Sequence, residues 1–366
     1  MNKDNGIRKY TLIFILAVMG LFSHSNLYAA GEEQGHGEED FNAGRMILGH
    51  IVDSYGWHLM DIGDKSITID LPIILYDEGE WHLFMSSKFH HGHDSYKGFK
   101  IAQEGINKGK IVNVKPGTMK EDESAGLPVD FSITKNVAAM FFSFLLISFL
   151  FIYIAKRYKK HTYEAPKGIQ SLLEPLILFV RDDIAKSSIG EKRYQKFMPY
   201  LLTVFFFIFI NNLLGLVPIA PGGANVTGNI AVTFVLAMFT FVITNAGGTK
   251  GYWKHIFDTP GVPWFLKLPL PLMPIVELLG VFTKPFALLV RLFANITAGH
   301  IVKLGFVSLI FIFSNLKPEV GFAVTPFSVL LGVFISMLEL LVAFIQAFVF
   351  TLLSALFFGM SQEEAH

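Results

Sequence analysis

The chain has 366 residues, of which 52% are hydrophobic and only 16% charged, whereas soluble globular domains carry about 25% charged residues. Its 30 basic and 30 acidic residues cancel, which argues against nucleic-acid binding, and the absence of cysteine excludes disulfides and thiol chemistry. Only 13 of these charged residues lie in residues 197–366, so the composition indicates a membrane protein whose polar part is N-terminal.

Residues 1–30 have the pattern of a secretory signal peptide. Three basic residues precede an apolar run over residues 10–22, and small residues follow at Ala29 and Ala30. The position three residues before the cleavage site would be Leu27 or Tyr28, and both are larger than signal peptidase prefers. An uncleaved membrane anchor is therefore the alternative. Both interpretations predict that the next segment is exported from the cytoplasm.

Residues 31–130 form a polar segment that we predict to be small and partly β. Ser66–Tyr76 and Trp81–Met85 are rich in β-branched and aromatic residues, and Ile111–Val114 is a weaker strand candidate.

Three histidines cluster in this segment, at His90, His91 and His93. Their spacing matches no known metal motif, so we expect a solvated loop and no bound metal, with a metal or sensing role as the alternative.

Residues 131–366 are predicted to be an all-α polytopic membrane domain. A hydrocarbon core about 30 Å thick requires roughly 20 apolar residues in a helix. About five segments qualify as transmembrane helices: Ala138–Ala155, Tyr200–Val217, Asn229–Thr244, Met273–Phe313 and Phe327–Phe358. The last two are too long for one perpendicular span, so we expect them to tilt strongly, bend or lie partly along the membrane.

Charges between these segments predict one interfacial helix and the orientation of the chain. Ser171–Ala185 has an apolar body interrupted by charged residues, which is typical of an amphipathic interfacial helix. Basic residues cluster after the first span, before the second and after the third. By the positive-inside rule, the N-terminal segment lies outside and His366 lies in the cytoplasm.

Ionisable side chains inside spans are costly and are therefore candidate functional groups. Arg291 lies far from both ends of the fourth span, and its guanidinium keeps its proton, so it can attract a mobile carboxylate while blocking proton passage. A structural ion pair with Glu277 or Glu339 is the alternative. Glu277 lies about 21 Å before Arg291 along a straight helix, where it could pass protons on the cytoplasmic side or snorkel to the interface. We expect Lys284 to snorkel or pack.

His300 and Glu339 form a second pair of candidates. His300 follows Arg291 by about half a turn of the helical period and so points away from it, while Glu339 and Gln346 share one face of the last helix. Burial and mutual contact can bring an imidazole and a carboxylate into the range that a proton relay requires. Asn295 and Gln346 are weaker candidates, because either could line a channel or form a hydrogen bond between helices.

The segment Arg291–His300 reads Arg-Leu-Phe-Ala-Asn-Ile-Thr-Ala-Gly-His and closely resembles the signature of subunit a of the rotary F-type ATP synthase. Five other motifs resemble this bacterial family in the same order along the chain: Glu174 with Val180–Asp182, Asn211–Pro218, Asn225–Thr227, Pro271–Glu277 and Gln346–Phe348. The resemblance covers roughly residues 131–366.

The resemblance implies a proton-translocating stator subunit of the Fo sector, which is not an enzyme on its own and has no cofactor. In this family, subunit a lies in the inner membrane beside the c-subunit ring and the b-subunit peripheral stalk, and works with the remaining synthase subunits. Its two half-channels pass protons to and from the c-ring carboxylates. Arg291 matches the essential arginine, Glu277 the inner half-channel carboxylate, and His300 and Glu339 the two outer half-channel positions.

Three features depart from the pattern of this family. Many bacterial relatives carry Glu and His where this chain has His300 and Glu339, and the exchange favours a coupled pair over two independent residues. Ala287 stands where serine is frequent. Residues 31–130 are also much longer than the usual N-terminus, which the resemblance does not explain.

Two other functions remain as alternatives. A proton-coupled secondary transporter or channel could use Arg291 to bind an anionic substrate, although the chain shows no internal repeat of the kind that builds many transporters. An exported binding module with a membrane anchor would instead make residues 31–130 the active part.

Overall fold

The computed structural model describes residues 43–44, 47, 51–62, 65–92, 94–115, 118, 120–122, 125–160, 164–217, 220–257 and 272–362. The predicted signal over residues 1–30 and the side chain of His93 lie outside these ranges. The chain divides into two compact units: Met1–Met140 with Leu214–Ala231 and Thr297–Met337, and Phe141–Leu213 with Val232–Ile296 and Leu338–His366.

The N-terminal part of the first unit contains short antiparallel strands. In the described residues these are β1 Gly56–Ile62, β2 Lys65–Asp70, β3 Pro72–Asp77, β4 Glu80–Met85, β5 Phe99–Ile101, β6 Ile111–Asn113 and β7 Val129–Asp130. They pair as β1–β2, as a three-stranded sheet in the order β4–β3–β7, and as β5–β6. The prediction of a partly β segment is therefore confirmed.

The predicted run Ser66–Tyr76 is two strands and not one. Leu71 separates β2 from β3 and is buried, and its backbone N–H donates to Ser86 Oγ at 3.0 Å. Because this N–H bonds to a side chain, Leu71 belongs neither to the β1–β2 pairing nor to the β3–β4 pairing. The chain passes there from one sheet to the next. The sequence carries a signal for this break, because Leu71 lies between Asp70 and Pro72, two residues that are rare inside strands.

Of the histidine cluster, His90 and His91 lie in a 3-10 helix, Ser86–Gly92, and not in an irregular loop, and His93 lies outside the described residues. The His90 side chain is exposed, and its Nε2 lies 3.9 Å from Asp94 Oδ2. Within the described residues, no group of three or more His, Asp or Glu side chains is arranged to hold a metal ion.

The described residues after β7 contain eight helices: α1 Lys135–Lys160, α2 Ile169–Phe179, α3 Ser187–Ile189, α4 Tyr194–Leu216, α5 Ile230–Ala246, α6 Lys250–Phe257, α7 Leu272–Leu316 and α8 Pro318–Ser361. A π-helical turn, Val180–Lys186, joins α2 to α3. Among the described residues, four helices are long and apolar enough to span a membrane, and α5 with α6, bent by 99°, makes a fifth if the pair counts as one span. The predicted polytopic all-α membrane domain is confirmed.

Helices α7 and α8 are much longer than the membrane is thick. They contain 45 and 44 residues, or about 68 Å and 66 Å of helix at 1.5 Å per residue, against a hydrocarbon core of about 30 Å. This length confirms the expectation that both depart strongly from a perpendicular path through the membrane.

A buried carboxylate fixes the start of α1 to the N-terminal segment. Asp53 Oδ1 accepts the backbone N–H groups of Ser54 and Asn136 at 3.0 Å each, and Asp53 Oδ2 accepts Thr134 Oγ1–H at 2.7 Å. Asn136 is the second residue of α1, so a carboxylate here satisfies an N-terminal amide and complements the helix dipole. Burial nevertheless outweighs these hydrogen bonds and raises the pKa of Asp53 above its usual value.

We predict that Asp53→Ala destabilises the junction between the segment and α1 by about 3 kcal/mol, because buried donors lose their acceptor. Asp53→Asn retains an acceptor oxygen and removes the buried charge, so it should be milder. Hydrogen–deuterium exchange of the first turn of α1, measured on the full chain in nanodiscs, reports the change.

The raised pKa also sets a pH dependence. The native state binds the Asp53 proton more tightly than the unfolded chain, so this group stabilises most below its unfolded pKa, and that contribution is lost as pH rises through its folded pKa. The stability of Asp53→Asn relative to wild type should therefore improve with rising pH. The exposed Asp94 offers the control Asp94→Asn, and equal pH profiles for wild type and Asp53→Asn would contradict the prediction.

Candidate functional site

The part of α7 in the second unit has one buried and one exposed face. Leu288, Leu292 and Ile296 follow one another at four-residue spacing and are buried. Phe282 and Phe286 lie on the other face and are 56% and 66% exposed. The exposed face is therefore mainly apolar, which suits a lipid or protein surface better than water.

Arg291 lies on this exposed face. It is the one exposed charged side chain among the described residues of α7 before Thr297. Asn295 follows it by four residues on the same face and is also exposed. Within the described residues Arg291 forms no ion pair, so the alternative of a structural pair with Glu277 or Glu339 is not observed there. The guanidinium is free to meet an anion that approaches from outside the second unit.

Glu277 belongs to a separate polar group of the second unit. Its charge acts on the Lys284 ammonium, two helical turns further along α7, and on the Tyr252 phenol of α6. The Tyr252 hydroxyl donates to Asn245 Oδ1 at 3.1 Å. Four kinds of polar group, namely carboxylate, ammonium, phenol and amide, therefore meet near the start of α7.

Lys284 lines a small pocket and is half-buried, so it is not only a residue that snorkels to the interface. Its Nζ lies 5.8 Å from the centroid of the Phe357 ring. The pocket is lined by polar and apolar residues of α5, α6, α7 and α8: Thr240, Phe241, Thr244, Asn245, Tyr252, Val281, Lys284, Pro285, Phe357 and Met360. Sequence reasoning missed Tyr252 and Asn245, because it selected polar residues inside the predicted spans and both lie just beyond the third one.

Glu339 and Gln346 lie on a buried strip of α8, as their seven-residue spacing predicts. Between them is Ala343, whose carbonyl oxygen accepts a hydrogen bond from Asn212 Nδ2 at 3.3 Å. Asn212 is itself buried in α4. A small residue at position 343 lets the α4 amide reach the α8 backbone, as small residues do between membrane helices. The sequence signal for Asn212 is a pair of adjacent amides inside an uncharged apolar span.

His300 is placed in the first unit, on the part of α7 that follows Ile296. Its Nε2 lies 3.7 Å from the position that a Cβ would occupy on Gly215, so the imidazole packs over a bare stretch of the α4 backbone. One turn before it along α7, Thr297 Oγ1 donates to Gly228 O at 3.4 Å. Both contacts join α7 to the end of α4 and to the connection that leads into α5.

The connection between α4 and α5 contains a second buried amide, Asn225. It is 4% exposed, and neither of its side-chain polar atoms has a hydrogen-bond partner among the described residues. The carbonyl oxygen of its neighbour Ala224 lies 3.4 Å from the same Gly215 Cβ position that His300 approaches. Buried amides of this kind are normally hydrated, so this connection is a polar environment close to the His300 imidazole.

The C-terminal end of α8 is fixed by polar contacts within the second unit. Gln362 Nε2 donates to Gly247 O at 2.6 Å, and Thr249 N–H donates to Ser361 O at 2.9 Å. A Cβ on Gly359 would overlap the carbonyl oxygen of Ser188. The backbones of α8 and α3 therefore touch at this glycine, which sets the position of the helix that carries Glu339.

Comparison with known proteins finds two family matches along the chain. Residues 137–359 match the ATP synthase A chain family, and residues 46–131 match a domain family of unknown function.

The similar curated proteins are bacterial ATP synthase a subunits. The chain is 46% identical to ATP synthase subunit a of Chloroherpeton thalassium over 239 residues, which are 63% of this chain and 67% of that protein. It is 47% identical to that of Myxococcus xanthus over 246 residues, 65% of this chain and 75% of the relative. With that of Chlorobium phaeobacteroides strain DSM 266 it is 38% identical over 352 residues, 94% of this chain and 82% of the relative, so this similarity also includes most of the N-terminal segment.

We predict that Gly359→Ala lowers the thermal stability of the full chain in detergent, because the added methyl must separate α8 from Ser188. A penalty of about 1–3 kcal/mol is expected for such overpacking. Gly332→Ala in the same helix is the matched control, since nothing lies within 4 Å of its Cβ position and alanine favours helix. Equal melting temperatures for the two variants would contradict the close contact.

Proposed function

Because the chain belongs to the ATP synthase A chain family, we propose that it is the proton-translocating stator subunit of the Fo sector of an ATP synthase. In this role it passes protons to and from the carboxylates of a c-subunit ring and so couples proton flow to ring rotation. The family match over residues 137–359 is the observation that carries the proposal. The exposed position of Arg291 on an apolar face supports it.

Arg291 would act as the fixed charge of the stator. A guanidinium on an apolar helix face attracts a deprotonated carboxylate strongly, because little water is present to screen it. It cannot itself carry a proton across, since it does not release one near neutral pH. Each elementary charge moved across the membrane is worth about 2.3 kcal/mol per 100 mV, so this barrier preserves the energy that drives rotation. Asn295 would also contact the c ring at this surface.

The other polar groups would form two separate proton routes. Glu277, with Lys284 and Tyr252, would line the inner route. His300 and Glu339 would form the outer relay. Gln346 and the newly found Asn212 would be polar neighbours of Glu339. Because Arg291 keeps its proton and lies on the exposed face of α7, protons would have to pass through the ring to move between the two routes.

The wider arrangement follows from the same proposal. The c ring would lie against the exposed face of α7, and the b-subunit stalk and the remaining synthase subunits would complete the complex. We propose that the chain itself is not an enzyme, because nucleotide chemistry belongs to other subunits of the synthase. Residues 1–30 would act as a signal, residues 31–130 would lie outside the cytoplasm, and residues 131–366 would span the inner membrane with a cytoplasmic C-terminus.

We predict that Arg291→Ala abolishes ATP synthesis driven by a proton gradient in proteoliposomes of the complete complex. Removal of the fixed charge leaves the c-ring carboxylate without its counter-charge and opens a path for passive proton leak, which a pH-sensitive dye reports. The matched control is Arg157→Ala, which removes a partly exposed arginine near the end of α1 and should leave synthesis intact. Full coupled synthesis in Arg291→Ala would overturn the proposal, and intact transport of an anion without a c ring would favour a secondary transporter.

The exchanged acid and base positions give a second prediction. His300→Glu combined with Glu339→His should retain more proton-driven synthesis than either single variant, because a coupled relay needs one acid and one base in either order. The comparison is a double-mutant cycle on the rate of synthesis. Losses that simply add would show two independent residues.

A further inference from the structure

The three-stranded sheet β4–β3–β7 has a second apolar face that no described residue buries completely. Its inner face contains Ile73, Leu75 and Phe84, which pack with Phe89 and other residues in the core of the N-terminal segment. Since side chains alternate along a strand, the remaining positions point the other way. The outward positions are all apolar: Pro72, Ile74, Tyr76, Trp81, Leu83, Met85, Val129 and Phe131.

The registers of the strands make these residues one continuous surface, here called the outer sheet face. Tyr76 pairs with Trp81 on one side and with Val129 on the other, so the surface crosses all three strands. The rings of Tyr76 and Trp81 lie 5.0 Å apart, and Trp81 lies 5.6 Å from Phe131. Trp81 and Leu83 are 64% and 67% exposed. Water would cover an uncharged aromatic surface of this size at a large free-energy cost, which marks it as a contact surface.

The position of the outer sheet face identifies what covers it. The β3–β7 ladder continues beyond β7, because Phe131 N–H donates to Ile74 O at 2.9 Å and Ile133 N–H donates to Pro72 O at 3.0 Å. The membrane helix α1 begins two residues later, at Lys135. A chain of four residues, from Phe131 to Lys135, extends at most about 14 Å. The sheet is therefore attached rigidly, and at very short range, to the start of a membrane span.

Three further hydrogen bonds connect residues 53–55 to β7 and to the start of α1. Lys135 N–H donates to Ser54 O at 2.9 Å, and Asp53 accepts the Asn136 amide. The Tyr55 hydroxyl donates to Asp130 Oδ2 at 2.5 Å, so residues 53–55 are also bonded to β7. The outer sheet face cannot move away from the start of α1 without breaking these hydrogen bonds.

We propose that the outer sheet face lies on the lipid bilayer beside the start of α1, with Trp81, Leu83 and Met85 inserted among the headgroups and upper acyl chains. Trp and Tyr are the residues typical of the membrane interface, because their rings are apolar and their polar atoms reach water. A protein partner would also bind aromatic residues, but the bilayer is the one surface that the adjoining span brings to this face in every copy of the chain. The proposal requires only that α1 spans the membrane, so it is independent of the proton routes.

Because the chain contains no cysteine, a single introduced thiol can be labelled uniquely. Leu83→Cys, carrying a nitroxide, is placed at the most exposed position of the face, where the label disturbs little packing. Power saturation of the full chain in proteoliposomes then compares collisions with oxygen, which concentrates in lipid, and with a water-soluble nickel chelate. Ile106→Cys, at an 86% exposed position off the sheet, is the matched control.

The expected result is an oxygen-to-nickel collision ratio several-fold higher at Leu83→Cys than at Ile106→Cys, with Met85→Cys giving the same result. Equal ratios at the two sites would place the face in water and overturn the proposal. Low collision rates with both reagents would show that protein covers the face, either residues 1–50 of this chain or another copy, and would overturn it as well. If the complete complex transported no protons but Leu83→Cys still gave a high oxygen-to-nickel collision ratio, the proposed function would fail and this proposal would hold.

Discussion

A permanent cation on an apolar helix face is the constraint from which the membrane part of this protein follows. A charged arginine at the centre of a bilayer costs about 2.5–3.5 kcal/mol on insertion scales, and no ion pair within the described residues compensates for Arg291. Under the proposed function, the compensation comes from the carboxylate that the c ring presents to this face of α7. The second unit buries Leu288 and Leu292 of the same helix and leaves the Arg291 side chain exposed. Its buried carboxylate, Glu339, lies on a different helix, α8.

The carboxylates and amides take the opposite arrangement. Glu339 and Gln346 are buried on α8, and Asn212 reaches that strip from α4. Glu277 lies with Lys284 and Tyr252 near the other end of the same unit. A buried ionisable group retains its hydrogen-bonding partners and can exchange a proton without meeting lipid, whereas an exposed cation can only attract. The fixed cation and the buried carboxylate Glu339 therefore lie on different helices, α7 and α8. A direct path between such groups would dissipate the electrochemical gradient that drives a proton carrier.

Hydropathy alone was enough to predict most of the fold. The spans that contain α1, α4, α7 and α8 are long apolar runs, and Arg291, Glu277, His300 and Glu339 stand out because they interrupt such runs. The exposed side of α7 could not be predicted, because its two faces are almost equally apolar and the helix has no amphipathic pattern. Strands β1, β5 and β7 were missed, since short strands of mixed composition form only where a neighbour supplies hydrogen bonds. Tyr252 and Asn245 were missed for a similar reason: they become polar neighbours of Glu277 only when the chain bends by 99° between α5 and α6.

The junction between α7 and α8 restricts how this protein can change over time. The first helix ends at Leu316 and the second begins at Pro318, so a single residue separates 45 residues of helix from 44. With no flexible loop to absorb an insertion, one added residue early in α8 would turn everything after it by about 100°. Glu339 would then leave its buried strip and take the direction in which the exposed Leu340 now points. Side chains along this hairpin can be exchanged one at a time, whereas its length is fixed. Peptide tags and fusion partners belong elsewhere in the chain.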